Sequence, residues 1–98
     1  MQTKKDFIKQ KYKNFMNVLI DKSSLTLEEL ENEPDIKSFK DMTEEDILKF
    51  GLSTLQPYKN NLDFPAVKIM ECFKIDPLDK STKMIIINYL ELILSIST

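Results

Sequence analysis

Residues 84–96 read Met84-Ile-Ile-Ile-Asn-Tyr-Leu-Glu-Leu-Ile-Leu-Ser-Ile96, and what this stretch forms decides the fold. Three polar residues interrupt the apolar run. Asn88, Glu91 and Ser95 are spaced 3 and 4 apart, which on a helix gathers them into one narrow stripe. The apolar residues, from Ile85, Ile86 and Ile87 through Tyr89, Leu90, Leu92, Ile93, Leu94 and Ile96, then wrap most of the circumference. A helix that apolar must be covered nearly all round, so it is expected to be the central helix, starting near Asp79 or Ser81. If cover is incomplete, the exposed part becomes a dimer or partner surface. Three consecutive Ile leave a buried strand as the alternative. The run is too short and too polar to cross a bilayer.

The chain before it is also helical in period. One Gly and four Pro leave little material for hairpins. Asp63 is expected to cap a helix with Pro65 in its first turn and Val67, Ile69, Met70 and Phe73 inward, stopped by Asp76-Pro77. Between Leu52 and Asn61, Gln56-Pro57 and Asn60-Asn61 mark a turn or a short irregular helix. Thr43-Glu-Glu-Asp-Ile-Leu-Lys-Phe-Gly51 is the clearest local signal. Thr43 caps, acids fill the first turn, Ile47, Leu48 and Phe50 face inward, and Gly51 is placed to end the helix. Thr26 with Glu29 has capping-box spacing. That helix is short, because Pro34 disfavours a helical Glu33 and itself opens a further turn through Phe39. A first helix is expected from Lys4 to Asp21 with Thr3 as N-cap. Its face is Ile8, Tyr12, Phe15 and Leu19, flanked by Phe7, Met16 and Val18. The expected architecture is therefore all-α: one domain, residues 1–98, a compact bundle of five to six short helices packed on a hydrophobic C-terminal helix.

Composition narrows the chemistry. The chain of 98 residues has no His, Arg or Trp, and a single Cys, Cys72. Metal sites built on nitrogen or sulfur need ligands it lacks. Asp41–Asp46 is rich in oxygen, yet it lacks the alternating ligands, central Gly and terminal Glu of a calcium loop. Gly51 alone makes no phosphate-binding loop. No cofactor and no catalysis are expected: the paired acids Glu44 and Glu45 suit a helix first turn, and Tyr12, Tyr58 and Tyr89 sit among apolar neighbours. Cys72 is expected to be a small buried residue on a helix, with no partner for an intramolecular bridge. The N-terminal residues lack the pattern of a secretory signal, so a cytoplasmic location is the expectation. Fourteen Lys without Arg, beside eleven Ile, resemble the codon bias of an AT-rich genome.

Charge is segregated along the chain. From Glu28 to Asp46, nine of nineteen residues are acidic (Glu28, Glu29, Glu31, Glu33, Asp35, Asp41, Glu44, Glu45, Asp46), opposed only by Lys37 and Lys40. Residues 1–22 instead carry six Lys against Asp6 and Asp21. Acids on first turns and solvated faces explain about half of the nine, and their density over residues 28–35 exceeds that account. A row of carboxylates on a small scaffold imitates the phosphates of nucleic acid and docks on a basic groove by steering and complementarity. The expected function is a non-catalytic protein-binding module, an inhibitor or adaptor that presents this acidic face to a basic, nucleic-acid-handling partner. A second reading makes the basic residues Lys4, Lys5, Lys9, Lys11 and Lys13 a DNA- or RNA-binding face, with residues 43–65 resembling a helix-turn-helix. Its recognition segment would hold Gln56, Pro57, Tyr58, Lys59 and Asn60, with a block of acids just before it to repel phosphate. A third is a homodimer through the C-terminal helix. No membrane partner is expected.

The string Met42-Thr-Glu-Glu-Asp-Ile-Leu-Lys-Phe-Gly-Leu52 also resembles one piece of a sterile alpha motif domain. There, a similar Leu-Thr-Glu-Glu-Asp-Leu and Leu-Gly-Ile stretch precedes a long last helix. Ser53 to Asn61 departs from that family, lacking its basic, Gly-containing turn, and an ordinary capped helix produces the same string. What the resemblance implies is again a protein-interaction module.

Overall fold

The structure, a computed structural model, describes residues 3–97, the side chain of Lys5 excepted. It is all-α, with no strand among the described residues: α1 (Lys4–Lys22), α2 (Leu27–Asn32), α3 (Pro34–Lys40), α4 (Glu44–Lys49), a π-helical turn (Phe50–Leu55), a 3₁₀ turn (Gln56–Tyr58), α5 (Asp63–Cys72) and α6 (Lys80–Ser97). No helix in it is long and apolar enough to cross a membrane.

Three helices start in the same way. Thr3, Thr26 and Thr43 each accept a hydrogen bond from the backbone N–H three residues on, at Asp6, Glu29 and Asp46. Each of those acids accepts one in return from the threonine N–H. Two orphan donors per helix are satisfied locally, which is why helices as short as α2 and α4, marginal in isolation, start where they do. Pro34 divides α2 from α3 as expected: Glu33 is extended at ψ 119, and Pro34 sits at the first position of α3.

Three expected boundaries are corrected. Gly51 does not end α4, since the chain runs on through the π turn and Gly51 has no positive φ. Its small size is used for packing instead. A Cβ there would come within 2.9 Å of Ile93 Cγ2 and of Ser97 Cβ, so the missing side chain lets the last turn of α6 close on the π turn. Asp63 does not cap α5; Leu62 holds that position without a side-chain bond, and Asp63 instead pairs with Lys83 at 3.4 Å. Nor does α5 reach Asp76-Pro77. It stops at Cys72, followed by Lys74 at φ 52. The N–H of Ile75 donates to the Met70 carbonyl at 2.9 Å and that of Lys74 to Glu71 at 3.1 Å. This is a Schellman motif with lysine where glycine is usual, and buried Met70 and Ile75 supply its apolar contact.

The α1 face Ile8, Tyr12, Phe15 and Leu19 is buried, with Met16 beside it. Tyr12 donates its hydroxyl to the Phe39 carbonyl, tying α1 to α3. Phe15 stacks on Tyr89 of α6 with ring centroids 4.1 Å apart. One buried cluster joins these residues to Leu30, Ile36, Ile47, Leu55, Phe73 and the α6 residues Ile86, Leu90 and Ile93. Each such side chain contributes roughly 1.5–3 kcal/mol by leaving water. Helix α6 packs against α1, α4, the π turn and α5. Its start is fixed by Asp79, which accepts from the Thr82 N–H at 3.0 Å and from the Thr82 hydroxyl at 2.6 Å. Cover around α6 is nevertheless incomplete: Met84 and Ile85 are exposed. The alternative of incomplete cover holds: Met84 and Ile85 continue the exposed stripe of Asn88, Glu91 and Ser95 along one side of α6.

Candidate functional site

The nine acids lie on α2, α3, α4 and the turns between them. Seven are exposed, and Glu29 and Glu44 are half-buried. Two serve the fold directly. Glu29 closes the Thr26 box and meets Lys74 Nζ at 2.9 Å, and chiefly that hydrogen bond holds its carboxyl below the usual range. Asp46 closes the Thr43 box, and the Thr43 N–H and hydroxyl hold it low in the same way. The remaining exposed acids, Glu28, Glu31, Glu33, Asp35, Asp41 and Glu45, make no ion pair; among the described residues the pairs are Lys68–Glu71, Lys74–Glu29 and Lys83–Asp63. No group of three acids or thiols among the described residues converges as a metal site would require.

Four of the acids border other elements, in two neighbourhoods. Asp41 and Glu44 adjoin α1: Asp41 adds to the rise in the Tyr12 pKa, which burial dominates, and Glu44 lines a cavity of about 210 Å³ with Lys9, Tyr12, Met42 and Ile47. The basic edge of α1 therefore borders this part of the acidic segment, and the two do not occupy wholly separate faces. Lys4, Lys9, Lys11 and Lys13 are exposed, and the side chain of Lys5 lies outside the described residues. Glu33 and Asp35 belong to the other neighbourhood, at the C-terminal end of α5, with Glu71. The partial desolvation of a residue on the rim of α5 first, then the charges of Asp35, Glu71 and Glu33, push the Cys72 thiol up from its ordinary value.

Cys72 itself is exposed, against expectation. The buried arc of α5 runs through Pro65, Ala66, Ile69 and Met70 and on to Phe73, which leaves position 72 on its rim. Glu71 is a member of the acidic surface that the run from 28 to 46 did not include. Sequence reading also passed over a set of aromatics. Phe39 meets Phe50 and Phe73 edge-on at 6.1 and 6.0 Å, and exposed Tyr58 stacks on exposed Phe64 at 5.1 Å. The signal available was Tyr58 and Phe64 on either side of the Asn60-Asn61 turn, a spacing that returns the two rings to one another. The segment that a helix-turn-helix would use for recognition is a three-residue 3₁₀ turn.

Comparison with protein-family models, curated proteins and solved structures finds no match for this chain. The string Met42–Leu52 is accordingly described by its own geometry, a capped α4 running into a π turn.

Proposed function

We propose that this chain is a non-catalytic binding module that presents the acids of α2–α4 to a basic surface on a partner protein, such as a nucleic-acid-binding groove. The observation that carries this reading is the set of exposed carboxylates, Glu28, Glu31, Glu33, Asp35, Asp41 and Glu45, that make no ion pair among the described residues although exposed lysines are present. Like charges gathered on a small domain repel one another and disfavour the compact state. Pairing them with lysines of the same chain would remove that penalty, and a basic partner removes it on binding. Clustered charge of this kind steers encounter and fixes register more than it sets raw affinity.

The test reverses Glu28, Glu31, Glu33 and Asp35 to Lys together. Glu29 is spared because it closes the Thr26 box and holds Lys74. Binding of the native protein to a basic partner, captured at low salt and lost at high salt, is expected to vanish in the reversed variant while its far-UV circular dichroism stays native. A folded variant that still binds overturns the reading.

A further inference from the structure

Between the π turn, the 3₁₀ turn and α5 lies an open groove of about 290 Å³, lined by Phe39, Phe50, Tyr58, Phe64, Ile69 and Cys72 among others. Its surface is nearly all apolar. Phe39 and Phe50 are half-buried, while Tyr58 and Phe64 are 39% and 48% exposed. Its volume is at or below the lower end for sites that enclose a small-molecule ligand, roughly 300 Å³, and suits one or two apolar side chains. Large apolar side chains standing open together mark contact surfaces.

Charge at the edge of the groove narrows the occupant. Glu33, Asp35 and Glu71 lie close enough to Cys72 for their charges to act on its thiol. Among the described residues of the lining the one cation is Lys68, which lies 5.5 Å over the Phe64 ring and 4.0 Å from Glu71. An acidic occupant would meet three carboxylates, and a wholly apolar one would leave them unanswered. We infer that the groove anchors a basic segment of a partner protein: one Leu- or Phe-sized side chain enters between Phe64 and the Phe39–Phe50 pair, and flanking lysines or arginines meet Glu33, Asp35 and Glu71. This rests on the binding-module reading above and adds the point of attachment. Buried apolar or aromatic anchors ringed by polar contacts dominate the energetics of such interfaces.

The experiment uses the full chain and three fluorescent probes: a Lys- and Leu-rich amphipathic peptide, the same peptide with every Leu replaced by Ser, and a short DNA duplex. Affinity is read by anisotropy. Occupancy of the groove is read independently by the rate at which iodoacetamide alkylates Cys72. The Leu peptide is expected to bind about tenfold more tightly than the Ser peptide and to slow alkylation. Phe64→Ala, which opens the groove, and Thr54→Trp, which fills it, should each remove that difference while leaving the Ser peptide unaffected. Equal binding of both peptides, or tight binding with Cys72 unprotected, overturns the groove and leaves the acidic-surface reading standing. Leu-peptide binding unchanged by reversal of Glu33 and Asp35 to Lys overturns the charge match and with it this inference, while the acidic reading is decided separately by the four-site reversal above. Protection of Cys72 by duplex DNA, or by self-association at high concentration without peptide, assigns the groove another occupant and overturns the inference.

Discussion

The Lys74 ammonium reaches Glu29 of α2 at 2.9 Å from a backbone held at φ 52, so one residue both terminates α5 and tethers the acidic segment to it. The Lys74 carbonyl also accepts from the Ser24 N–H at 3.3 Å, a second link to the connection before α2. A side chain with a Cβ is strained in this left-handed conformation, and glycine is not.

Comparing Lys74→Gly with Lys74→Ala separates the two roles. Both lose the ammonium, so their difference isolates the backbone. The glycine variant should be the more stable by roughly 1–2 kcal/mol in urea denaturation. Equal stability would mean that the Schellman turn relaxes when the tether is cut.

Gly51→Ala should destabilise the fold by about 1 kcal/mol or somewhat more, because the new methyl group meets Ile93 and Ser97. Gly51 is not at positive φ, so the effect belongs to packing and not to backbone strain. Adding Ser97→Gly should then recover part of the loss, and a double-mutant cycle reads the coupling. Additive losses would show that the two helices are not in contact there.

Acid should unfold the protein through its caps. Glu29, Asp46 and Asp79 have carboxyl pKa values lowered in the fold by the hydrogen bonds they accept, from ordinary values of 4.5, 3.8 and 3.8. A lowered folded value means that the native state holds the charged form more firmly than the unfolded state does. The stabilisation is therefore present above those ordinary values and is lost as pH falls through the lower folded ones. Thermal midpoints should decline over that acid range. Thr43→Ala, which removes the cap on Asp46, should lower the midpoint at neutral pH and flatten the slope. An unchanged slope would place the acid sensitivity elsewhere.

What was legible in the sequence was local. Thr26 with Glu29, and Thr43 with the acids after it, announce helix starts because donor and acceptor lie three residues apart. Pro34 divides two helices by acting on its own neighbour. The stripe from Ile8 to Leu19 needs only the period of one helix. What failed depended on residues far away in sequence. Gly51 looks like a helix terminator until Ser97 and Ile93 are seen packed against it. Asp63 looks like a cap until Lys83 is seen beside it. Cys72 is the exception: the phase set by Ile69 and Phe73, both local, already puts it on the rim of α5, and its small apolar side chain outweighs that signal in the reading. The acidic run itself was plain, yet nothing local showed that Glu71 joins it or that Phe39, Phe50, Tyr58 and Phe64 assemble a groove at its edge.

Helices α2, α3 and α4 each sink a single side chain fully into the core: Leu30, Ile36 and Ile47. With so little holding each one, their amides are expected to exchange with solvent by local opening below the free energy of global unfolding, and native-state hydrogen exchange would check this. The charged surface thus rides on the helices that sink the fewest side chains into the core, and a partner settling on it would restrain their opening as well as neutralise its charge.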